Sequence, residues 1–416
     1  SNPISSRFTG SFDGSGFKIS GLFINRPDSN QIGFFGFSRE ANFKRIVLDG
    51  VTIIGNRYAG GLAGTVSGGS IIEVYISGSI SGDEVVGGLV GEIGDSTVVS
   101  QSHSVDVKIE GSTYIGGLVG YANEGAIIKL SSSKGEVIGT ESGIGGLLGQ
   151  LDYGSRISES FSNGKVTGQI QVGGLVGSNR GGLITNNYSR STVSTNNNGQ
   201  DIGGFVGYNA TFTFTNEIAE ITNNYYSGRI TNESNNAKSF LGEFVSGILK
   251  SNYWNIDSTS ISLGANGYSG SGIKGLTTSE MLDEASFTDW DFDNIWVMEG
   301  NTFPSLRNNP PVLSIDSVSV SVDEGIEPIT DFELMQNYPN PFNPTTNISF
   351  LVPETGVVNL TVYNLLGQKV ATLVSKKMPV GRHTISFDAS RLSSGIYIYK
   401  LKQYDKIGIK KMILIK

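Results

Sequence analysis

The side chains able to act as general bases are few. The 416-residue chain has two histidines and no cysteine, which excludes disulfides and thiolate metal sites. His103 occupies a repeated position that holds Tyr188 and Tyr225 further along, so we expect it to stack within the repeats rather than act as a base. His383 lies on a predicted strand near the C-terminus. A Ser-His-Asp relay needs a histidine beside a nucleophile and an orienting acid. The repeats offer no such trio, so we predict no catalytic residues of this class.

Carboxylates are the second possible source of chemistry. Polysaccharide-cleaving enzymes use a few acidic or basic side chains held at a defined separation. The acidic residues that come into question are Asp83, Glu84, Asp106, Glu110 and Glu159. They are scattered over different predicted strands, and nothing in their spacing pairs them. A polysaccharide lyase or hydrolase is therefore retained only as an alternative.

A row of three acidic residues invites a calcium interpretation. Asp289, Asp291 and Asp293 alternate with Trp290 and Phe292, which predicts an extended segment with acids on one face. The helix-loop-helix calcium pattern fails, because Asn294 stands where glycine is needed and Gly300 where the bidentate glutamate belongs. We expect the solvated acidic edge of a cap, with no metal and no cofactor.

The element that must position these residues is a repeat. The phrase Gly-Gly-Leu-Val-Gly, or a close variant, recurs, and the first glycines of its pairs are residues 60, 87, 116, 145, 173 and 203. This regular spacing of 27 to 30 residues predicts a stacked array. No proline occurs between Pro27 and Pro304, as a continuous ladder of paired backbones requires. The fold class is therefore all-β: a β-helix-like solenoid, followed by a small antiparallel β-sandwich.

Each repeat contains further columns. An aliphatic residue is followed four positions later by Ile76, His103, Ser132, Phe161, Tyr188, Tyr225 or Tyr253, the first pair being Ile72 and Ile76. One position earlier stands a polar column, Ser102, Ser131, Ser160, Asn187, Asn224 and Asn252, which can bridge neighbouring turns. We predict three strands and three corners per turn, an aromatic stack of Tyr188, Tyr225 and Tyr253, and inward-pointing Tyr188 and Tyr225. The glycines are expected to supply positive φ at the corners, and close approach of backbones or of a ligand is the alternative.

The C-terminal region differs in composition and charge. Residues 332–416 hold eleven basic and four acidic residues, whereas the whole chain has a net charge of −8. Short alternating strands separated by turns predict a sandwich there. We assign residues 1–307 to the solenoid with a cap at 250–307, residues 308–331 to a linker, and residues 332–416 to an Ig-like β-sandwich. The acidic body argues against nucleic acid as a partner, and no apolar run is long enough for a membrane span.

The repeats resemble a known family. The Gly-Gly-Leu-Val-Gly phrase, the Ile-x-x-Ser/Asn-Tyr-Ser segment and a following Gly-x-Val-x-Gly are similar to the GLUG repeat over residues 8–307. That resemblance implies a bacterial cell-surface or secreted protein. The unit after Gly207 departs from the pattern through an insertion at residues 211–215, and its successor lacks the Gly pair. Local function is therefore expected between residues 207 and 245 or at the two ends of the stack.

The C-terminal region resembles the type A sorting domain of the type IX secretion system. The residues that carry this resemblance include Tyr338, Pro339, Asn340, Pro341, Phe342, Asn343, Pro344, Gly367, Gly395, Lys410 and Lys411. It implies that the type IX machinery is a partner, and that a Bacteroidetes-type bacterium exports the chain to its outer surface or the medium. In this family the domain is generally removed during export.

These observations predict a non-catalytic extracellular or cell-surface solenoid, acting in adhesion or as a subunit of an extracellular fibre. The chain opens at Ser1 without a basic-then-apolar leader, and we expect an open first edge that recruits other copies of the protein. Surface glycans are further possible partners. A glycan-binding module and a polysaccharide-active enzyme are the alternatives.

Overall fold

The structure is a computed structural model. It describes residues 7–152, 154–211, 217–232, 236–312, 314–315, 332–337, 339–352, 356–378, 381–404 and 406–415. The chain forms two compact units, residues 1–321 and 322–416.

The first unit is a parallel β-solenoid of about nine turns. Equivalent strands of successive turns pair in parallel, as the repeat period predicts. The strands of this sheet are Ser11–Asp13, Lys18–Ser20, Phe23–Asn25, Phe35–Ile54, Arg57–Gly60, Ala63–Ser81, Glu84–Gly87, Val90–Gly94, Val98–Ser100, His103–Gly111, Thr113–Gly116, Val119–Ala122, Ile127–Lys129, Ser132–Gly139, Ser142–Gly145, Leu148–Asp152, Arg156–Ser158, Phe161–Gly173, Val176–Arg180, Leu183–Thr185, Tyr188–Ser189, Thr192–Gly203, Val206–Ala210, Glu220–Thr222, Tyr225–Tyr226, Ile230–Asn232, Leu241–Phe244, Ile248–Lys250, Asn252–Asn255, Ala265–Asn266 and Ile273–Leu276.

A typical turn contains four strands rather than the predicted three. The turn that begins at residue 84 comprises Glu84–Gly87, Val90–Gly94, Val98–Ser100 and His103–Gly111. The strand missed from the sequence precedes the Gly-Gly pair, where an apolar residue and two glycines look like part of a corner.

In-register pairing builds the interior. Val99 pairs with Ile71 below and with Ile128 above, and all three side chains are fully buried. The first members of the column are therefore Ile71 and Tyr75, one residue before the predicted Ile72 and Ile76. Tyr75, not Ile76, pairs with His103. Burial fixes this register, since a shift by one residue would turn Ile71 out of the core.

The Gly-Gly pairs are not positive-φ corners, and the prediction that they are is wrong. Positive φ falls instead on residues such as Tyr114, at 56°, just before the phrase, and Glu159, at 45°, before the polar column. The Gly-Gly pairs permit close approach of backbones. A Cβ placed on Gly173 would lie 2.0 Å from the carbonyl oxygen of Val176, so no larger residue fits.

The predicted polar column forms a hydrogen-bonded ladder. The backbone N–H of Ser131 donates to Ser160 Oγ at 3.2 Å, and that of Ser160 donates to Asn187 Oδ1 at 2.9 Å. The backbone N–H of Asn187 continues the ladder to Asn224 Oδ1 at 2.8 Å. Each side chain thus satisfies a buried donor of the preceding turn.

Short elements follow the last complete turn. An α-helix spans Ile256–Thr259, and 3₁₀ helices span Glu280–Leu282 and Glu284–Ser286. Strands Trp296–Val297 and Ser305–Leu306 then form an antiparallel pair.

The second unit contains two antiparallel sheets. One has three strands, Glu333–Leu334, Thr345–Val352 and Gly381–Asp388; the other has four, Gly356–Tyr363, Lys369–Met378, Gly395–Gln403 and Lys406–Leu414. Phe350 of the first sheet and Leu360 and Tyr399 of the second belong to one buried cluster. The predicted small sandwich is therefore present.

Candidate functional site

An aromatic column runs along one wall of the solenoid. Phe161, Tyr188, Tyr225 and Tyr253 pair in register on successive turns. The rings of Tyr188 and Tyr225 are stacked with centroids 5.2 Å apart and planes 9° apart. The predicted aromatic stack is confirmed for Tyr188 and Tyr225, and Tyr253 continues the column in register. The next residue, Tyr226, belongs to the interior cluster, whereas Tyr225 does not. Since strand residues alternate between faces, the column points away from the coil interior.

The last part of the first unit covers this column. We call this part, residues 276–312 and 314–315, the strap. Trp290 lies 5.7 Å from Tyr253 and 6.2 Å from Tyr225, and Trp296 lies 6.4 Å from Tyr188, measured between ring centroids. The Tyr225 hydroxyl donates to the carbonyl of Pro304 at 2.6 Å. These contacts bury the tyrosines beneath the strap.

The strap continues back towards the first turns. Asn309 Nδ2 donates to the carbonyls of Ser131 and Glu159, at 3.2 and 2.8 Å. Ile315 packs against Val47 and Tyr75. Thus the beginning of the stretch assigned to a linker from the sequence contacts the solenoid.

Tyr188 and Tyr225 are therefore buried, but not inside the coil as predicted. Their exposed fractions are 1% and 0%. The strap occupies the face of the rings that a glycan would need for stacking. Sequence reasoning missed this arrangement because the strap lies outside the repeat period.

The two histidines occupy structural positions. The His103 ring stacks on Tyr75 with centroids 5.1 Å apart, and its Nδ1 is 2.8 Å from Ser132 Oγ. Burial lowers the pKa of His103 to about 4, because desolvation disfavours the charged ring. The predicted stacking of His103 is confirmed. His383 lies on Gly381–Asp388 with its ring 5.6 Å from that of Phe350.

Four of the five carboxylates singled out from the sequence each have a partner of their own. Asp83 accepts from Ser112 Oγ at 2.8 Å, Glu84 pairs with Arg57 at 2.7 Å, Asp106 with Lys134 at 3.1 Å and Glu110 with Lys108 at 2.7 Å. The backbone carbonyl of Glu159 holds Asn309. No hydrogen bond joins any two of these five described carboxylates.

The acidic triplet lies in turns, so the predicted extended segment is wrong. Asp291 Oδ1 accepts from the backbone N–H groups of Asp293 and Asn294 at 3.0 and 2.9 Å, a local turn that competes with strand formation. Hydrogen bonds from Asn294 hold the pKa of Asp291 below its usual range. Asp289 pairs with Lys250 at 3.2 Å. Within the described residues, no three His, Asp or Glu side chains are grouped to hold a metal ion.

The predicted sorting motif joins the start of the second unit to its last strand. Asn340 Oδ1 accepts from the backbone N–H of Ile413 at 2.8 Å, and the backbone N–H of Phe342 donates to the Ile413 carbonyl at 2.9 Å. Pro339 and Pro344 offer carbonyls to Thr346 and Ala389. Tyr338 lies outside the described residues.

The remaining motif residues occupy edges and turns. Gly367 adopts a φ of 75° in the turn after Asn364, and Gly395 begins strand Gly395–Gln403. Lys410 and Lys411 lie exposed on the last strand, and Pro341 and Asn343 are exposed beside the buried Phe342. Hydrogen bonds from Gln336 Nε2 to the Lys411 carbonyl and from the Phe342 N–H to the Ile413 carbonyl bring the lead segment and Lys411 to one edge of the unit.

The region favoured for local function, residues 207–245, is described in part. Residues 212–216, most of the insertion, and residues 233–235 lie outside the described part. Beside this region is a groove of 520 Å³ that includes Glu124, Arg156 and Glu217. The sequence did not single out these residues, because they come from different repeats and occupy no shared column.

Comparison with known proteins identifies the second unit. Residues 336–416 match the secretion system C-terminal sorting domain. The match confirms the prediction made from the motif residues. Together with the fold, it defines a class: a β-solenoid exported by the type IX secretion system to the cell surface or the extracellular space.

Two curated proteins share similarity with part of the chain. Halomucin of Haloquadratum walsbyi is 35% identical over 102 residues, covering 24% of this chain and 1% of halomucin. A Gly-rich membrane protein of Evansella cellulosilytica is 30% identical over 130 residues, covering 29% of this chain and 13% of that protein. The chain therefore corresponds to a small fraction of each relative. No solved structure matches. Among the residues described, no helix has the length and hydropathy needed to cross a bilayer.

Proposed function

We propose that the solenoid is a non-catalytic surface element for adhesion or assembly, with repeats of the GLUG type, and that it stacks end to end with other copies. The observation that carries this proposal is a β-solenoid of about nine in-register turns in a chain that also holds an export domain. Strands Ser11–Asp13, Lys18–Ser20 and Phe23–Asn25 pair with Phe35–Ile54. The backbone groups on the second edge of such strands can accept a further parallel strand, and in an assembly a neighbouring copy would supply it.

Further observations support assembly and a non-catalytic role. Phe17 and Phe23 are 78% and 66% exposed, although large apolar side chains are normally buried. The distribution of the candidate carboxylates among separate partners supports a non-catalytic role over polysaccharide cleavage. The names of the two relatives, halomucin and a membrane protein, fit a cell-envelope setting.

The test is assembly of the purified full chain, observed by negative-stain microscopy and sedimentation. The wild type should form end-to-end particles that lengthen with concentration, and Phe23→Asp should shift the population to single copies. Ile170→Asp, at a 36% exposed side chain on the flank, is the matched control and should leave assembly unchanged. Dispersed single copies of the wild type at every concentration, with no adherence to cells, would refute the proposal.

A further inference from the structure

A groove lies at one corner of the solenoid, between strands of successive turns. We call it the corner groove, and its volume is 520 Å³. Three glycines line it, Gly125, Gly154 and Gly181, each with positive φ between 69° and 84°. The last two are linked by a hydrogen bond from Gly154 N–H to the Gly181 carbonyl, at 3.2 Å. A floor without side chains lets a ligand approach the backbone.

Charged side chains surround that floor. Glu124, Arg156 and Glu217 line the groove, and Glu217 Oε2 is buried with no hydrogen-bond partner among the residues that the structure describes. Glu217 reaches over the floor, since a Cβ on Gly154 would lie 2.9 Å from its Oε1. Leu183 and the 53% exposed Ile218 add an apolar side.

A buried polar atom without a partner is costly for a fold, and native proteins contain few of them. Among the described residues Glu217 Oε2 is such an atom, and Glu217 lines the groove. A ligand hydroxyl in the groove would supply the missing hydrogen bond.

The chemistry of the lining groups selects the ligand. Glu124 and Glu217 offer acceptors and Arg156 offers donors, and a hydroxyl can both donate and accept. Two carboxylates and one guanidinium leave the lining negative, which disfavours sulfate, phosphate and uronate groups.

We propose that the corner groove binds a neutral saccharide, with Glu217 accepting hydrogen bonds from its hydroxyls and Arg156 donating to them. This assignment rests on the proposed adhesive role and names the class of ligand that such a surface would hold.

The test uses the full chain on an array of neutral oligosaccharides, with sulfated and uronate-containing counterparts, followed by calorimetric titration of any neutral sugar retained. The wild type should retain neutral sugars in preference to charged ones. Glu217→Gln and Arg156→Gln should each weaken binding about tenfold, as expected for loss of a hydrogen bond to a charged group. Glu110→Gln changes an exposed carboxylate outside the groove and should bind as the wild type does.

Melting curves of every variant distinguish loss of binding from loss of folding. Failure of the wild type to retain any neutral sugar, or unchanged binding by Glu217→Gln, would overturn the assignment. If the protein still assembles or adheres to cells in that case, the proposed function is supported and only the saccharide assignment is refuted. If neutral sugars bind in the groove but the protein neither assembles nor adheres, the proposed function fails and the assignment stands.

Discussion

Replacement of Asn224 by alanine should destabilise the solenoid through the polar ladder. The Asn224 side chain is fully buried. Its Oδ1 accepts from the backbone N–H of Asn187 at 2.8 Å, and its Nδ2 donates to the carbonyls of Ile184 and Thr222 at 3.0 and 2.8 Å. Alanine leaves the Asn187 N–H buried without a partner. One orphaned donor and the loss of the amide contacts should together cost about 3 kcal/mol.

The ladder itself supplies a graded control. Serine occupies the same column at Ser160, where its Oγ accepts from the preceding turn. Asn224→Ser should therefore recover part of the stability that Asn224→Ala loses. Asn163→Ala, at an exposed position, should change the unfolding free energy by less than about 0.5 kcal/mol.

The assay is urea unfolding followed by far-ultraviolet circular dichroism at fixed temperature. The expected order of midpoints is wild type and Asn163→Ala highest, Asn224→Ser intermediate and Asn224→Ala lowest. An Asn224→Ala midpoint equal to that of the wild type would refute the ladder as a source of stability. A serine variant no better than alanine would refute the proposed role of the accepting oxygen.

Three further outcomes follow from the same contacts. Trp296→Ala removes a fully buried ring that stacks on Trp290 at 4.1 Å; it should cost about 3–5 kcal/mol and make the strap cleavable in limited proteolysis while the coil resists. Gly173→Ala should lower the melting temperature by many degrees because its Cβ has no room, whereas Gly10→Ala, whose nearest neighbour would be 3.5 Å away, should not. Since the pKa of His103 is lowered to about 4 in the fold, the unfolded chain binds the extra proton first. The free energy of unfolding is therefore unaffected by this group above about pH 6.5, and it falls by up to about 3 kcal/mol as the pH drops to 4. His103→Gln should abolish that part of the pH dependence in thermal melts, and an unchanged slope would contradict the assignment.

Features that repeat along the axis could be predicted from the sequence. Parallel stacking places each residue above its equivalent, so the polar ladder, the aromatic column and the position of His103 all recur at near-regular spacing in the sequence, with one longer step of 37 residues from Asn187 to Asn224. The sorting domain was predictable for another reason, since residues 339–344 form a continuous phrase that bonds to the last strand.

Features without a period could not be predicted in this way. The strap meets Tyr188 and Tyr225 from a segment with no counterpart in the repeats. The corner groove combines Glu124, Arg156 and Glu217, whose approach depends on how the corners fold. The recurrence of the Gly-Gly pairs is visible in the sequence, but their role depends on distances between backbones, which the sequence does not contain.

The strap has a consequence for how the solenoid melts. An array held only by contacts between neighbouring turns behaves as a one-dimensional chain, in which a single weak turn separates blocks that unfold independently. Asn309 bonds to the backbones of two turns at once, and Ile315 and Trp296 contact turns far apart along the axis. The strap thus adds long-range coupling to a nearest-neighbour lattice. The strap joins distant blocks into one cooperative unit. Without its contacts, the blocks would unfold independently.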